Sequence, residues 1–345
     1  MARVRVRGET VRRYIIEQVE RHPSDLTKIT VAKFGITRQA VNKHLHRLLD
    51  EEALIQEGTT RRRSYRLAPL VHWNKIYTIG GGLAEDQPWR EDVAPSLGQM
   101  PQNTLGIWHY GFTEMFNNAL DHSEGTRIGV DFEKTAANTR ILIYDDGIGI
   151  FKKIQAALGL LDERHAVLEL AKGKFTTDPA NHTGEGIFFT SRMFDGFEIL
   201  AGGIYFSHEH EDREEWILER DGFSSGTAVW MRLSNHTSRT TKRVFDRFTD
   251  DDEYGFTMTV VPVKLAKYGD DNLVSRSQAK RLLTRVDRFR TVMLDFSGVD
   301  SLGQAFADEV FRVFPARHPE VTLVEVHANS AVKRMISRAR GAGRL

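Results

Sequence analysis

The sequence predicts a multidomain α+β chain built in three parts, and three observations carry that expectation. Charge is divided unevenly. Residues 1–68 hold 15 Lys and Arg against 8 Asp and Glu, a net +7, while the rest of the 345 residues hold 33 against 39, a net −6. The apolar period changes along the chain, from helical spacing at the start to strands alternating with helices in the middle and at the end. Two polar stretches with little periodicity, 69–105 and 235–256, separate these regions. The expected organisation is therefore a domain over 1–68, a linker and entry to the next domain over 69–105, a domain over 106–234, a connecting segment over 235–256 and a domain over 257–345. An apolar fraction of 40% with 28% charged residues is that of a globular protein. The chain has no cysteine, which excludes a disulfide framework, a cysteine–zinc site and a cysteine nucleophile. No apolar run approaches the roughly 20 residues that span a bilayer. No apolar signal core follows the basic start, so the expected location is the cytoplasm, with no membrane partner.

The basic first part reads as three helices and a hairpin. "ETVRRYIIEQVERHP" spaces Val11, Tyr14, Ile15, Ile16 and Val19 as a helix does, and Pro23 stops it. "LTKITVAKFG" is a second short helix ending at Gly35. In "ITRQAVNKHLHRLLDEEALI", Thr37 is a good N-cap and Ala40, Val41, Leu45, Leu48 and Leu49 form the inward stripe. A short turn between two helices marks a helix-turn-helix. "ALIQEG" and "SYRLA" are two strands around a basic tip, which makes a wing. Thr37, Arg38, Gln39, Asn42 and Lys43 lie at the start and outer face of the third helix. In this motif that helix enters the major groove. Arg, Gln and Asn can each make two hydrogen bonds to a base edge. Arg61, Arg62 and Arg63 suit phosphate or the minor groove. Residues 8–68 resemble the winged helix-turn-helix domains of bacterial transcription regulators, which implies double-stranded DNA as a partner. A winged helix that contacts protein, with a solvated basic face, is the alternative.

The middle part holds the chemistry. "GGG" at 80–82 reads as a turn, and a helix starts near Met100 to Asn103. In "EMFNNALDHS", Phe112, Met115, Phe116, Ala119 and Leu120 make one apolar face, while Glu114, Asn118 and Asp121 share the opposite face with His122 at its margin. Asn is a poor residue inside a helix and needs another reason to be there. Glu and Asn oxygens in register suit a Mg²⁺ that keeps most of its waters, and a carboxylate beside it suits an attacking water. "RIGVDFE" and "TRILIYDDGIGI" are alternating strands. The second puts Asp145 at a glycine turn that a ligand can approach closely, where it can accept from the exocyclic amine of adenine. Two helices follow. Next comes "KGKFTTDPANHTGEGIFFTSRMF", a polar loop that turns into a helix at Gly184-Glu185-Gly186 and exposes N–H groups to phosphate. In "SSGTAVWMRL", Thr227 enters a strand and could reach the adenine side.

These segments, in this order, resemble the four boxes of the GHKL nucleotide-binding domain shared by gyrase, heat-shock chaperones, histidine kinases and mismatch-repair ATPases. The resemblance covers 106–234 and implies an α/β sandwich that binds ATP with Mg²⁺. It implies Glu114 as the water-activating base, Asn118 as the magnesium ligand and Asp145 as the adenine contact. Gly147, Gly149, Gly184 and Gly186 match the flexible glycines, and Thr227 matches the threonine beside adenine. Residues 173–186 would be the ATP lid, with Lys174 reaching a phosphate. His182 stands where the family has a further glycine. A glutamate in the place of Glu114 occurs in slow ATPases and in anti-sigma-type serine kinases, so hydrolysis and binding alone both remain open. Residues 69–105 lack the two-helix phosphoacceptor element of a histidine kinase. "SHEHEDREE" at 207–215 reads as a solvated hairpin tip rather than a metal cluster.

The last part alternates strands and helices, which predicts a small α/β domain on a mixed sheet, with "FTMTVVPVKLA" as a strand pair. "MLDFSGVDSLGQAFADEVFRVF" resembles the sulfate-transporter and anti-sigma-antagonist (STAS) fold. The position that antagonists phosphorylate matches Leu302, leaving only Ser301 beside it, so a docking role for a protein partner is expected. The combined expectation is a homodimeric, ATP-responsive DNA-binding regulator. The alternative is an ATPase or serine kinase whose flanking domains recruit proteins.

Overall fold

The computed structural model describes residues 2–59, 62–175, 184–209, 216–219, 225–250, 253–267 and 272–341. Helices α1 (Ala2–Gln18), α2 (Leu26–Phe34) and α3 (Arg38–Asp50) precede an antiparallel hairpin of β1 (Leu54–Glu57) and β2 (Ser64–Leu67). Gly35 ends α2 with a left-handed φ of 60°, where its N–H donates to the Val31 carbonyl. The Thr37 hydroxyl accepts the Ala40 N–H at 3.2 Å and so caps α3. Val11, Ile15, Val41, Leu45 and Leu48 pack with Leu54, Tyr65 and Leu67 into a core of their own. Ala40 and Leu49 are only half-buried, so the inward stripe of α3 is narrower than its sequence spacing implies. Thr37→Ala is expected to cost about 1 kcal/mol of the stability of this domain, read by urea unfolding of the helical signal.

The middle of the chain is a seven-stranded antiparallel sheet in the order β3-β4-β5-β9-β6-β7-β8. Its strands are β3 (Val71–Thr78), β4 (Arg127–Lys134), β5 (Asn138–Asp145), β6 (Gly196–Ala201), β7 (Ile204–Glu209), β8 (Trp216–Glu219) and β9 (Thr227–Ser234). Residues 69–105 are therefore not a linker. β3 pairs with β4 along its whole length, from Val71↔Lys134 to Thr78↔Arg127. Residues 86–97 are helical: α4 (Asp86–Pro88) and α5 (Ala94–Leu97) are joined by a π-helical stretch, and Val93 and Leu97 are fully buried. β3 escapes sequence reading because it is an edge strand in which only Tyr77 is buried, so "VHWNKIYT" shows no clean alternation.

Helices α6 (Gln102–His122), α7 (Ile150–Leu158), α8 (Glu163–Lys172) and α9 (Gly186–Met193) pack on the sheet face that carries Ile141 and Ile143. α6 buries Trp108, Phe112 and Phe116 on that side. The stretch 235–256 is also more than a connection. It forms α10 (Thr241–Asp246) and a small hairpin of β10 (Thr249–Asp250) and β11 (Glu253–Phe256). Phe245 and Phe256 reach Phe189 and Phe188 of α9 at ring separations of 4.4 and 4.5 Å.

In the C-terminal part β12 (Met258–Pro262), β13 (Thr291–Asp295) and β14 (Thr322–Val326) pair in parallel, not in the mixed sheet expected. "FTMTVVPVKLA" supplies one strand of that sheet rather than a strand pair, because Val263–Ala266 turns into a 3₁₀ helix. Helix α11 (Arg276–Leu283), a helical run over 304–317 containing α12 (Gln304–Asp308) and α13 (Phe314–Arg317), and α14 (Ser330–Gly341) complete it. Its core is continuous with that of the middle sheet, whereas the N-terminal core is separate.

Candidate functional site

A cavity of about 270 Å³ opens between α6, the ends of β5 and β9, α7 and the start of α9. That lies near the lower end of small-molecule pockets, roughly 300–1,000 Å³. Glu114, Asn118, Asp145, Gly184, Gly186 and Thr227 all line it. They come from four separate stretches of chain. Ile143, Ile154, Leu170 and Val229 supply its apolar wall.

Asp145 ends β5 and is buried. One carboxylate oxygen, Oδ1, accepts the N–H groups of Gly147 at 2.9 Å and Thr227 at 3.2 Å. Burial pushes its carboxyl above the usual range, and these N–H bonds and the Thr227 hydroxyl oppose that shift. Asp146 does different work. It accepts from the Thr126 and Arg127 N–H groups at 2.7 and 2.9 Å, which hold its carboxyl well below the usual range. It thereby pins the start of β4 rather than facing the cavity. Asp145, the aspartate the sequence singles out, is the one that lines the cavity.

Gly147 and Gly149 build the turn but do not line the cavity. A Cβ on Gly147 would lie 2.0 Å from the Ser123 carbonyl oxygen at the end of α6. Gly149 precedes α7, and the Ile150 N–H donates to the Thr227 hydroxyl at 3.0 Å. Thr227 is thus held by its own strand and by the start of α7.

Glu114 and Asn118 stand one turn apart on α6 at the polar end of the cavity. Gly186 lies against the carboxylate, and a Cβ there would fall 1.9 Å from Glu114 Oε2. The Gly184 carbonyl accepts the Phe175 N–H at 3.2 Å, so the two ends of the loop meet beside the cavity. Tyr110, one turn before Glu114, has its hydroxyl pushed up by burial and by the carboxylates of Glu114 and Glu185. Residues 176–183 of the expected lid, with His182, lie outside the described residues.

Lys174 does not reach the cavity. Its ammonium donates to the Arg288 carbonyl at 3.1 Å and sits 4.8 Å from the Phe289 ring centre, on the C-terminal domain. Its order in the chain predicts a place on the lid, and tertiary packing turns it to the other side. Lys153, which the sequence motifs do not point to, lines the cavity and donates to the His122 carbonyl at 2.7 Å and the Glu124 carboxylate at 3.0 Å. Its spacing from Ile150 and Ile154, both in the wall, was the available signal.

On the N-terminal domain, Arg38, Gln39, Asn42 and Lys43 are exposed along one side of α3, while the Thr37 hydroxyl is engaged as the cap. Arg62 is exposed, Arg63 is half-buried, and Arg61 lies outside the described residues. This domain docks through Glu20, whose carboxylate accepts from Asn138 at 3.1 Å and Arg140 at 2.6 Å at the start of β5. In the C-terminal part Leu302 is buried and Ser301 is exposed. Of the 207–215 stretch, Glu209 pairs with Arg232 at 2.8 Å, and 210–215 lie outside the described residues.

Residues 278–333 match the family described as a STAS-like domain of unknown function (DUF4325). The match spans most of α11, β13, β14 and the start of α14. No curated protein matches the sequence. Among the described residues, no helix is long and apolar enough to cross a membrane.

Proposed function

We propose that this chain is an ATP-responsive DNA-binding regulator, in which a GHKL-type nucleotide site is coupled to a winged helix-turn-helix and to a STAS-like docking domain. One observation carries the reading. Glu114, Asn118, Asp145, Gly184, Gly186 and Thr227, drawn from four stretches that lie far apart in the chain, meet around one cavity. The donors fit ATP with Mg²⁺. The cavity is apolar where a purine would stack, with one buried carboxylate to accept from its exocyclic amine. At the other end Asn118 would hold the magnesium, and the absence of a side chain at Gly186 lets the start of α9 come close to the Glu114 carboxylate. Bound Mg²⁺ would neutralise phosphate charge there. Glu114 would orient a water and accept its proton.

Three helices followed by a basic hairpin, with exposed Arg38, Gln39, Asn42 and Lys43, support DNA as the partner of the N-terminal domain. β5 connects the two functions: Asp145 stands at its cavity end, and Asn138 and Arg140 at its other end hold Glu20. A nucleotide shifts DNA binding only if it favours one arrangement of that joint. The test measures affinity for duplexes selected by the protein from a random pool, with and without ATP·Mg²⁺, at fixed salt. A change of about tenfold or more is expected, equivalent to about 1.4 kcal/mol of coupling. Equal affinities would sink the coupling. Equal affinities together with steady phosphate release would favour the rival reading, an ATPase whose N-terminal domain recruits a partner.

A further inference from the structure

The cavity wall that carries Phe175 is held in place from the STAS-like domain. Arg285, just past the end of α11, donates to the Lys174 carbonyl at 2.6 Å, and its guanidinium lies 5.0 Å from the centre of the Phe175 ring. Phe175 itself lines the cavity. The same guanidinium reaches Glu169 of α8 at 3.5 Å. Beside it, Lys172 is fully buried and donates to Glu169 Oε1 at 2.6 Å and to the carbonyls of Arg281 at 3.1 Å and Thr284 at 2.8 Å. The Lys174 ammonium returns to Arg288. Residues 169–175 and 281–288 are thus tied by charged groups in both directions.

The backbone adds an independent observation. Lys174 and Arg285 both hold left-handed φ values, 53° and 61°, and they are the two partners of one hydrogen bond. Non-glycine residues rarely adopt that conformation and persist in it only where surrounding contacts over-determine it. Glycine would relax the backbone after α11. Arginine stands there instead, and its side chain spans the joint.

We infer that Arg285 is a positioning residue for the cavity, through which the STAS-like domain sets how tightly the cavity holds nucleotide. The inference rests on the reading of the cavity as a nucleotide site. Whatever docks on the STAS-like domain and shifts 281–288 then loosens or tightens the Phe175 wall. By linkage, the nucleotide acts back on the docking surface with the same factor.

The experiment compares the full chain with Arg285→Ala and Arg285→Lys. It reads amide hydrogen exchange over 170–175 without nucleotide, exchange over β5 as an internal reference, and ATP·Mg²⁺ affinity by calorimetry. In Arg285→Ala, exchange over 170–175 should rise about tenfold while β5 stays unchanged, and ATP·Mg²⁺ affinity should fall about tenfold. Arg285→Lys keeps the charge with fewer donors and should fall between; it carries the comparison if the alanine variant does not fold. Unchanged exchange overturns the positioning role. Raised exchange with unchanged affinity overturns the link to the ligand. A wild-type protein that takes up no ATP defeats the nucleotide reading instead, and the exchange result then still decides whether Arg285 holds the wall.

Discussion

If the cavity is the nucleotide site proposed, Asp145→Asn is expected to weaken ATP binding about 100-fold, equivalent to about 2.7 kcal/mol, while making the ligand-free protein more stable at neutral pH. Both effects follow from the same burial. The amide keeps an oxygen for the Gly147 and Thr227 N–H groups, so the turn survives. The second carboxylate oxygen becomes an N–H₂ group, which in the proposed site would meet the exocyclic amine of a purine donor to donor. Stability moves the other way because the folded carboxyl is raised above its unfolded value by burial. A raised acid contributes stability that is fully present below the unfolded pKa and is lost as pH rises through the folded pKa. The neutral amide retains that contribution at every pH, whereas the wild type loses it as pH rises. Urea unfolding of both proteins at neutral and mildly acidic pH checks this, with the gap expected to narrow on acidification. An Asn variant that binds ATP as well as wild type would remove Asp145 from the site.

The second large effect is on stability. Glu169→Leu should cost about 3–5 kcal/mol, the range for removing one partner of a buried ion pair. Glu169 is buried and neutralises Lys172, and Arg285 is the nearby second cation. Desolvation lowers the Lys172 pKa, so without the carboxylate its ammonium can shed a proton, but the guanidinium of Arg285 cannot. The measurement is the urea midpoint of the middle and C-terminal parts, whose core is continuous. A loss under about 1 kcal/mol would mean that the cluster is solvated rather than buried.

How much of this was legible in the sequence depends on the range of the cause. Helices α2 and α3 were readable because Gly35 and Thr37 act on their neighbours, and α1 because apolar spacing needs only a few turns to show itself, although it ends at Gln18, ahead of the stop expected at Pro23. The polar face of α6, the glycine turn after Asp145 and the start of α9 were readable for the same reason. β3 was not, because an edge strand with one buried side chain carries little pattern. The aromatic cluster of Phe188, Phe189, Phe245, Phe248 and Phe256 was hidden because its members lie in polar surroundings and meet only on folding.

Sequence alone determined the three helices and hairpin of the first domain with their basic character, and the residue types that line the cavity. Tertiary structure alone decided two further points. Lys174 turns away from the cavity to Arg288. Arg285, 110 positions after Phe175 in the chain, holds its wall. The physical reason is common to both. Caps, turns and periodicity are settled by atoms within a few residues, whereas the direction of a charged side chain is settled by which distant carbonyl, ring or carboxylate offers it a partner once water is excluded.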